Sequence, residues 1–252
     1  MADRDEILRF LDRLLQPAAF SDYCPNGLQV PGDREVARVV TGVSATLDLF
    51  TAARERQADL ILVHHGIFWN GNPEALSATQ AARIKLLLTH DINLVAYHLP
   101  LDAHAEVGNN SLLGAALGLT PAAPFGEHKG DMVGWICEAP EPIDSATLRT
   151  RIESATDRRP LFFDHGPTDI KRVGIISGAA AGHLQEAIDS GCDAFITGEP
   201  AEPVMADSKE AGIHFAAAGH YATETFGVRR LGELLAEKFG VSHEFLQISN
   251  PI

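Results

Sequence analysis

His64 and His65 stand side by side at the end of an apolar run, Leu60-Ile61-Leu62-Val63, and Gly66 follows at once. Four branched aliphatic residues read as a buried strand, and in open α/β sheets ligands gather outside the carboxyl ends of such strands. Imidazoles at that address point to a metal. Neighbours on a regular strand face opposite ways, so three arrangements stay open. The backbone turns at Gly66, or two metals sit side by side, or one histidine is a core residue and the other is solvated.

The same chemistry recurs twice. The run Asn93-Leu94-Val95-Ala96-Tyr97 empties into His98-Leu99-Pro100-Leu101-Asp102, and a stretch from Ile213 to Ala217 is followed by Gly219-His220-Tyr221-Ala222-Thr223-Glu224. His220 and Glu224 are four residues apart, one turn of a helix that the pattern carries from Tyr221 to Phe239. Taken singly, Asp102 is a turn residue and Glu224 a complement to a helix dipole. Two strand ends and a helix start that all pair histidine with a carboxylate read together as a metal site.

These stretches resemble a known family, the GTP cyclohydrolase 1 type 2 homologues, also called NIF-three-like proteins. The resemblance includes Gly108-Asn109-Asn110, Thr197-Gly198-Glu199 and Asp22-Tyr23-Cys24-Pro25-Asn26-Gly27-Leu28-Gln29-Val30, so it covers nearly the whole chain. It implies two divalent ions per chain: His64 and Asp102 on one, His65 and His220 on the other, and Glu224 reaching both. It also implies a homo-oligomer, a ring-like hexamer, and hydrolytic opening of the purine ring of GTP. No residue reads as a guanine pocket, so amide or phosphoester hydrolysis of another small molecule is the rival. A non-catalytic metal-binding scaffold or regulatory protein that acts through partners is the alternative from another class. Where many relatives carry extra histidines, this chain reads Glu199-Pro200-Ala201-Glu202.

Three histidines and two carboxylates suit Zn, Mn, Fe(II) or Co, whereas Mg and Ca prefer oxygen. A pair of such ions activates water, which makes hydrolysis the expected reaction class. His98 lies outside the implied ligand set and is the candidate proton shuttle, its other reading being a packing residue. Glu199, after the strand-like Ala194 to Thr197, is a second candidate acid or base.

The elements that must position these groups alternate along 252 residues, 45% of them apolar. A helix over 5–16 ends at Pro17. Strands at 36–43, 60–63 and 94–97 then interleave with helices at 47–56, 79–90 and 111–117, which argues for a largely parallel layered sheet. Residues 118–130, with Pro121, Pro124 and Gly126, read as a boundary. A second alternation runs from 132 to 217. The fold expected is α/β, with two layered α/β/α units, mixed sheets and the metal site in the crevice between them. Residues 1–122 and 220–252 make the first unit and 123–219 the second. The loop Ser177 to His183, with Gly178 and Gly182, reads either as an anion-binding turn or as a turn that needs glycine for close packing.

A formal charge of -14 argues against nonspecific binding to nucleic acid or anionic membranes. The N-terminus lacks the pattern of a secretory signal and no run approaches the ~18 residues of a membrane span, so a cytoplasmic location is expected. Cys24, Cys137 and Cys192 are scattered, which leaves neither a disulfide framework nor a thiolate zinc site. A small molecule, such as a nucleotide, is the expected substrate.

Overall fold

The computed structural model describes residues 1–71 and 75–252, which divide into two compact units. The first comprises Met1–Leu101 with Gly227–Ser249, and the second Asp102–Phe226 with Asn250–Ile252. Both boundaries differ from those read in the sequence, for a packing reason. The helix Asn109–Ala116 is part of the second unit because Leu113, Leu117 and Leu119 enter its core beside Cys137, Val173 and Ile175.

In the first unit a five-stranded sheet runs Ser242–Phe245, Arg38–Ser44, Leu60–His65, Asn93–Ala96, Gly27–Val30. The first four are parallel, and the last joins Asn93–Ala96 antiparallel. A parallel strand covered on both faces needs apolar residues at every position rather than alternately. Leu60, Ile61, Leu62 and Val63 are all fully buried, each contributing roughly 1.5–3 kcal/mol. The helix Arg4–Leu15 is capped by Asp3, whose side chain accepts from the amides of Asp5 and Glu6, and it buries Ile7, Leu11 and Leu15 along one face. Ala78–Thr89 opens on a capping box formed by Ser77 and Gln80.

The second unit holds a six-stranded mixed sheet in the order Thr120–His128, Asp131–Ile143, Ile170–Ile175, Ala194–Thr197, His214–Ala217, Leu161–Phe163. Its three consecutive strands from Ile170–Ile175 to His214–Ala217 are parallel, and the remaining pairings are antiparallel. The expected boundary at 118–130 is instead mostly strand. Thr120–His128 lies at the sheet edge, where Pro121 and Pro124 are tolerated because only one side of the strand is paired.

The single helix expected from Tyr221 to Phe239 is broken. His220–Thr223 and Thr225–Phe239 are separated by Glu224, at φ -108 and ψ 10. Thr223 explains the interruption: its hydroxyl lies 2.9 Å from the Gly219 carbonyl and 3.0 Å from that of His220, competing with the backbone ladder. Among the described residues no helix is long and apolar enough to cross a membrane.

Candidate metal centre

The strand Leu60–His65 runs through both histidines. His64 is fully buried, and its Nδ1 donates to the Tyr97 carbonyl at 3.0 Å. A carbonyl only accepts, so the proton sits on Nδ1 and the lone pair on Nε2. His65 Nδ1 lies 3.1 Å from Ser44 Oγ, its register partner on the neighbouring strand. The two rings do not diverge: their centroids are 4.7 Å apart at an interplanar angle of 47°. His98 joins them, with ring centroids 4.9 Å from His64 and 5.6 Å from His65. One nitrogen from each of the three rings lies within 4.8 Å of the others, so the imidazoles share one locality.

His98 is itself held. Its Nδ1 is 2.7 Å from Asp22 Oδ1 and its amide donates to Asn26 Oδ1 at 2.7 Å. Burial pushes the Asp22 carboxyl up, but the hydrogen bond and charge of His98, with further hydrogen bonds from Asn26 and the Leu99 amide, hold it down at about 2.

In the second unit Asp102 and Glu224 are buried carboxylates, 6% and 2% exposed. Asp102 Oδ1 accepts from Asn109 Nδ2 at 2.8 Å and from Ser177 Oγ at 3.1 Å. Asn110 completes that frame by accepting from the Ser177 amide at 2.7 Å. The next residue, Gly178, packs against the other carboxylate: a Cβ there would stand 2.5 Å from Glu224 Oε1 and 3.3 Å from His220 Nε2. Its φ of +67 also favours glycine. The Gly178 amide donates to Thr223 Oγ1 and that of Ala180 to Thr197 Oγ1, so this loop serves close packing, the second of its two readings.

His220 Nε2 lies 3.2 Å from Glu224 Oε1, and its Nδ1 makes a short hydrogen bond to Glu199. Burial pulls this imidazole down, but the hydrogen bonds and charges of Glu224 and Glu199 outweigh it and lift it to about 9. Glu199 is therefore engaged as the hydrogen-bond partner of the His220 ring.

The family described as Duf34/NIF3 (NGG1p interacting factor 3) matches residues 2–251. The chain belongs to this family. A GTP cyclohydrolase 1 type 2 homolog of Pseudomonas aeruginosa is 42% identical over 240 residues, 95% of each chain. The homolog of Haemophilus influenzae is 40% identical over 247 residues, 98% of each. Among solved structures, protein ybgI, described as of unknown function, superposes with a TM-score of 0.94 at 40% identity, and TTHA1606 of Thermus thermophilus with 0.91 at 37%. Both comparisons cover each chain completely.

For this NIF3-family chain, the histidine and carboxylate clusters are consistent with a metal site. Nitrogen and carboxylate donors of borderline softness, with Nδ1 of His64 and His220 tied to an acceptor, are the donor chemistry such a site requires. The sequence did not single out Asp22, the hydrogen-bond partner of His98, although the segment containing it was part of the resemblance. Its role depends on a contact with a residue 76 positions away.

Proposed function

We propose that this chain is a dinuclear metal-dependent hydrolase of a small molecule, with His64, His65, Asp102, His220 and Glu224 holding two divalent ions. The observation that carries the reading is the pair Ser177-Gly178. Consecutive residues of one loop touch the buried carboxylates of Asp102 and Glu224, with His220 beside them. Two carboxylates and an imidazole gathered along one loop make an oxygen-and-nitrogen donor set of the kind that holds a divalent cation. The donor set favours Zn, Mn, Fe(II) or Co. Such ions would supply Lewis acidity for adding water across a C–N or P–O bond.

The chain's own residues do the rest. Asn109 and Ser177 fix the orientation of Asp102, and Glu199 holds the His220 ring by its Nδ1. His98, beside His64 and His65, carries the proton to or from the reacting group. The substrate class we favour is a purine nucleotide opened by ring hydrolysis. Its support is the name of the relatives, GTP cyclohydrolase 1 type 2 homolog.

The reading includes self-association into a ring-like hexamer. The helix Ala78–Thr89 buries only Leu87 and exposes Leu88, with Leu76 just ahead of it, each 53% accessible. Light scattering at 27 kDa across micromolar concentrations would leave a monomer and remove the oligomer.

The deciding experiment strips the protein with a chelator, reloads it with each metal in turn and follows GTP and a metabolite panel by mass spectrometry. Expected are two ions per chain and turnover that is lost on stripping and restored by one metal. One ion or fewer, unaffected by His65→Ala or His220→Ala, defeats the dinuclear claim. Tight metal binding without turnover of any compound leaves a scaffold.

A further inference from the structure

Asp22 and His98 form a buried pair whose two ends are both fixed to backbone. The Asp22 side chain is 4% exposed and that of His98 12%. One carboxylate oxygen meets His98 Nδ1 at 2.7 Å, and the other accepts from the Leu99 amide and from Asn26 Nδ2, both at 2.9 Å. Asn26 closes the arrangement by accepting from the His98 amide at 2.7 Å. Asp22 and Asn26 therefore grip the backbone on both sides of the His98 side chain as well as its ring.

Asp22, Cys24 and His98 also carry donor atoms close enough together to suggest a separate ion. The distances argue otherwise. Two ligands of one tetrahedral ion with bonds of about 2.0–2.1 Å lie roughly 3.3 Å apart. The 2.7 Å between Asp22 Oδ1 and His98 Nδ1 is a charge-assisted hydrogen bond, and Cys24 Sγ is 3.9 Å from the same oxygen.

The His98 ring is packed as well as bonded. Trp69 meets it edge-on, with centroids 5.2 Å apart at 81°, and His64 and His65 stand on the cluster side. Turning the ring over would aim a C–H at the carboxylate and forfeit the hydrogen bond.

We infer that Asp22 is a positioning residue: its carboxylate keeps the proton on His98 Nδ1, so that Nε2 is the nitrogen that brings a lone pair to the cluster of His64 and His65. The inference deepens the hydrolase reading and rests on it for the effect on turnover, while the tautomer rests on the hydrogen bonds alone. An asparagine at this place offers either an amide hydrogen or an oxygen to Nδ1, so the ring loses its enforced tautomer. In Ser-His-Asp triads, replacing the aspartate behind the histidine with asparagine lowers kcat about 10⁴-fold by this route.

The test uses full-length, zinc-loaded protein labelled with ¹⁵N-histidine and sedimented for solid-state NMR at about pH 8, with His98 assigned from the signal lost in His98→Gln. Expected is a protonated Nδ1 and a bare Nε2 on His98 in the wild type, and a mixed or reversed pattern in Asp22→Asn with zinc content unchanged. A wild-type His98 protonated on Nε2 overturns the inference without any variant, so a poorly folding Asp22→Asn does not protect it. On a substrate the wild type turns over, Asp22→Asn should lower kcat about 10²–10⁴-fold with little change in KM, and His98→Ala added to it should cost little more. Full activity in Asp22→Asn, or additive losses in the double variant, overturns the positioning role. If the wild type turns over nothing, the hydrolase reading fails, and the NMR result still decides the tautomer.

Discussion

The Nδ1 of His64 donates to the carbonyl of Tyr97, whose own amide donates back to the Val63 carbonyl at 3.1 Å. Ring and strand are thus locked by neighbouring hydrogen bonds, and His64 presents Nε2 without any freedom to exchange tautomers. The phenol of Tyr97 is anchored in turn on Asp12 at 2.6 Å.

Glu224→Gln is expected to cost more metal and more activity than either His98→Ala or Glu199→Ala, because an amide supplies no charge to the cations that a buried carboxylate would serve. His98→Ala should keep both ions and slow turnover by about 10²–10⁴-fold. Elemental analysis beside rate measurements separates these outcomes. Loss of metal in His98→Ala would make that histidine a ligand or an essential support.

For Glu199→Gln the expectation is weaker metal binding by about 10–100-fold with the fold intact, since the group behind a ligating histidine sets ring orientation and basicity. Competition with a metal indicator reads this directly. An unchanged affinity combined with lost turnover would return Glu199 to acid or base chemistry.

Gly178→Ala places a methyl 2.5 Å from Glu224 Oε1 at a φ of +67. About 1–3 kcal/mol of stability should be lost to the backbone conformation, with a further loss of metal affinity as Glu224 is displaced. Gly182→Ala is the control, because an added Cβ there meets nothing within 4 Å. Equal stability and affinity in the two variants would contradict the packing role of Gly178.

His243, in the first unit, provides a pH dependence of its own. Its ring lies against Gly232, where a Cβ would fall 2.1 Å from Nε2, and Nε2 is 2.8 Å from Thr41 Oγ1. Burial depresses its proton affinity, outweighing the opposing charges of Glu233 and Glu244. A histidine depressed in the folded state takes up its proton more readily when unfolded, so stability is full above its ordinary value near 6.5 and falls as the pH drops below it. Urea unfolding of metal-free protein between about pH 8 and 5.5 should show a steeper acid loss in the wild type than in His243→Gln. A shallower loss in the wild type would reverse the sign and reject the account.

Much of this arrangement is legible in the sequence because buried parallel strands write themselves as unbroken aliphatic runs. Leu60 to Val63 mark the strand, and the two histidines at its end mark the place where His98 joins them in a cluster of imidazoles. Contacts that depend on separated segments left no such mark. Asp22 reads as a loop carboxylate until the chain brings it to His98, and Glu199 reads as an available acid until it meets His220. Two local details misled for chemical reasons. Pro121 and Pro124 look like linker residues but occupy an edge strand, and the hydroxyl of Thr223 interrupts a helix whose apolar spacing continues through it.

The prolines of Thr120–His128 also bear on what this sheet does in a crowded solution. An outermost strand is a template on which a stray chain can add itself, hydrogen bond by hydrogen bond. Pro121 and Pro124 have no amide hydrogen to donate, and a register shift between Pro121 and Ala123 disturbs the even spacing that a newcomer would have to match. At the opposite margin the outermost strand, Leu161–Phe163, is three residues long. The sheet that carries the second unit is thus a poor seed for runaway strand addition from either side, a safeguard written in the residues that made one of its strands hard to recognise.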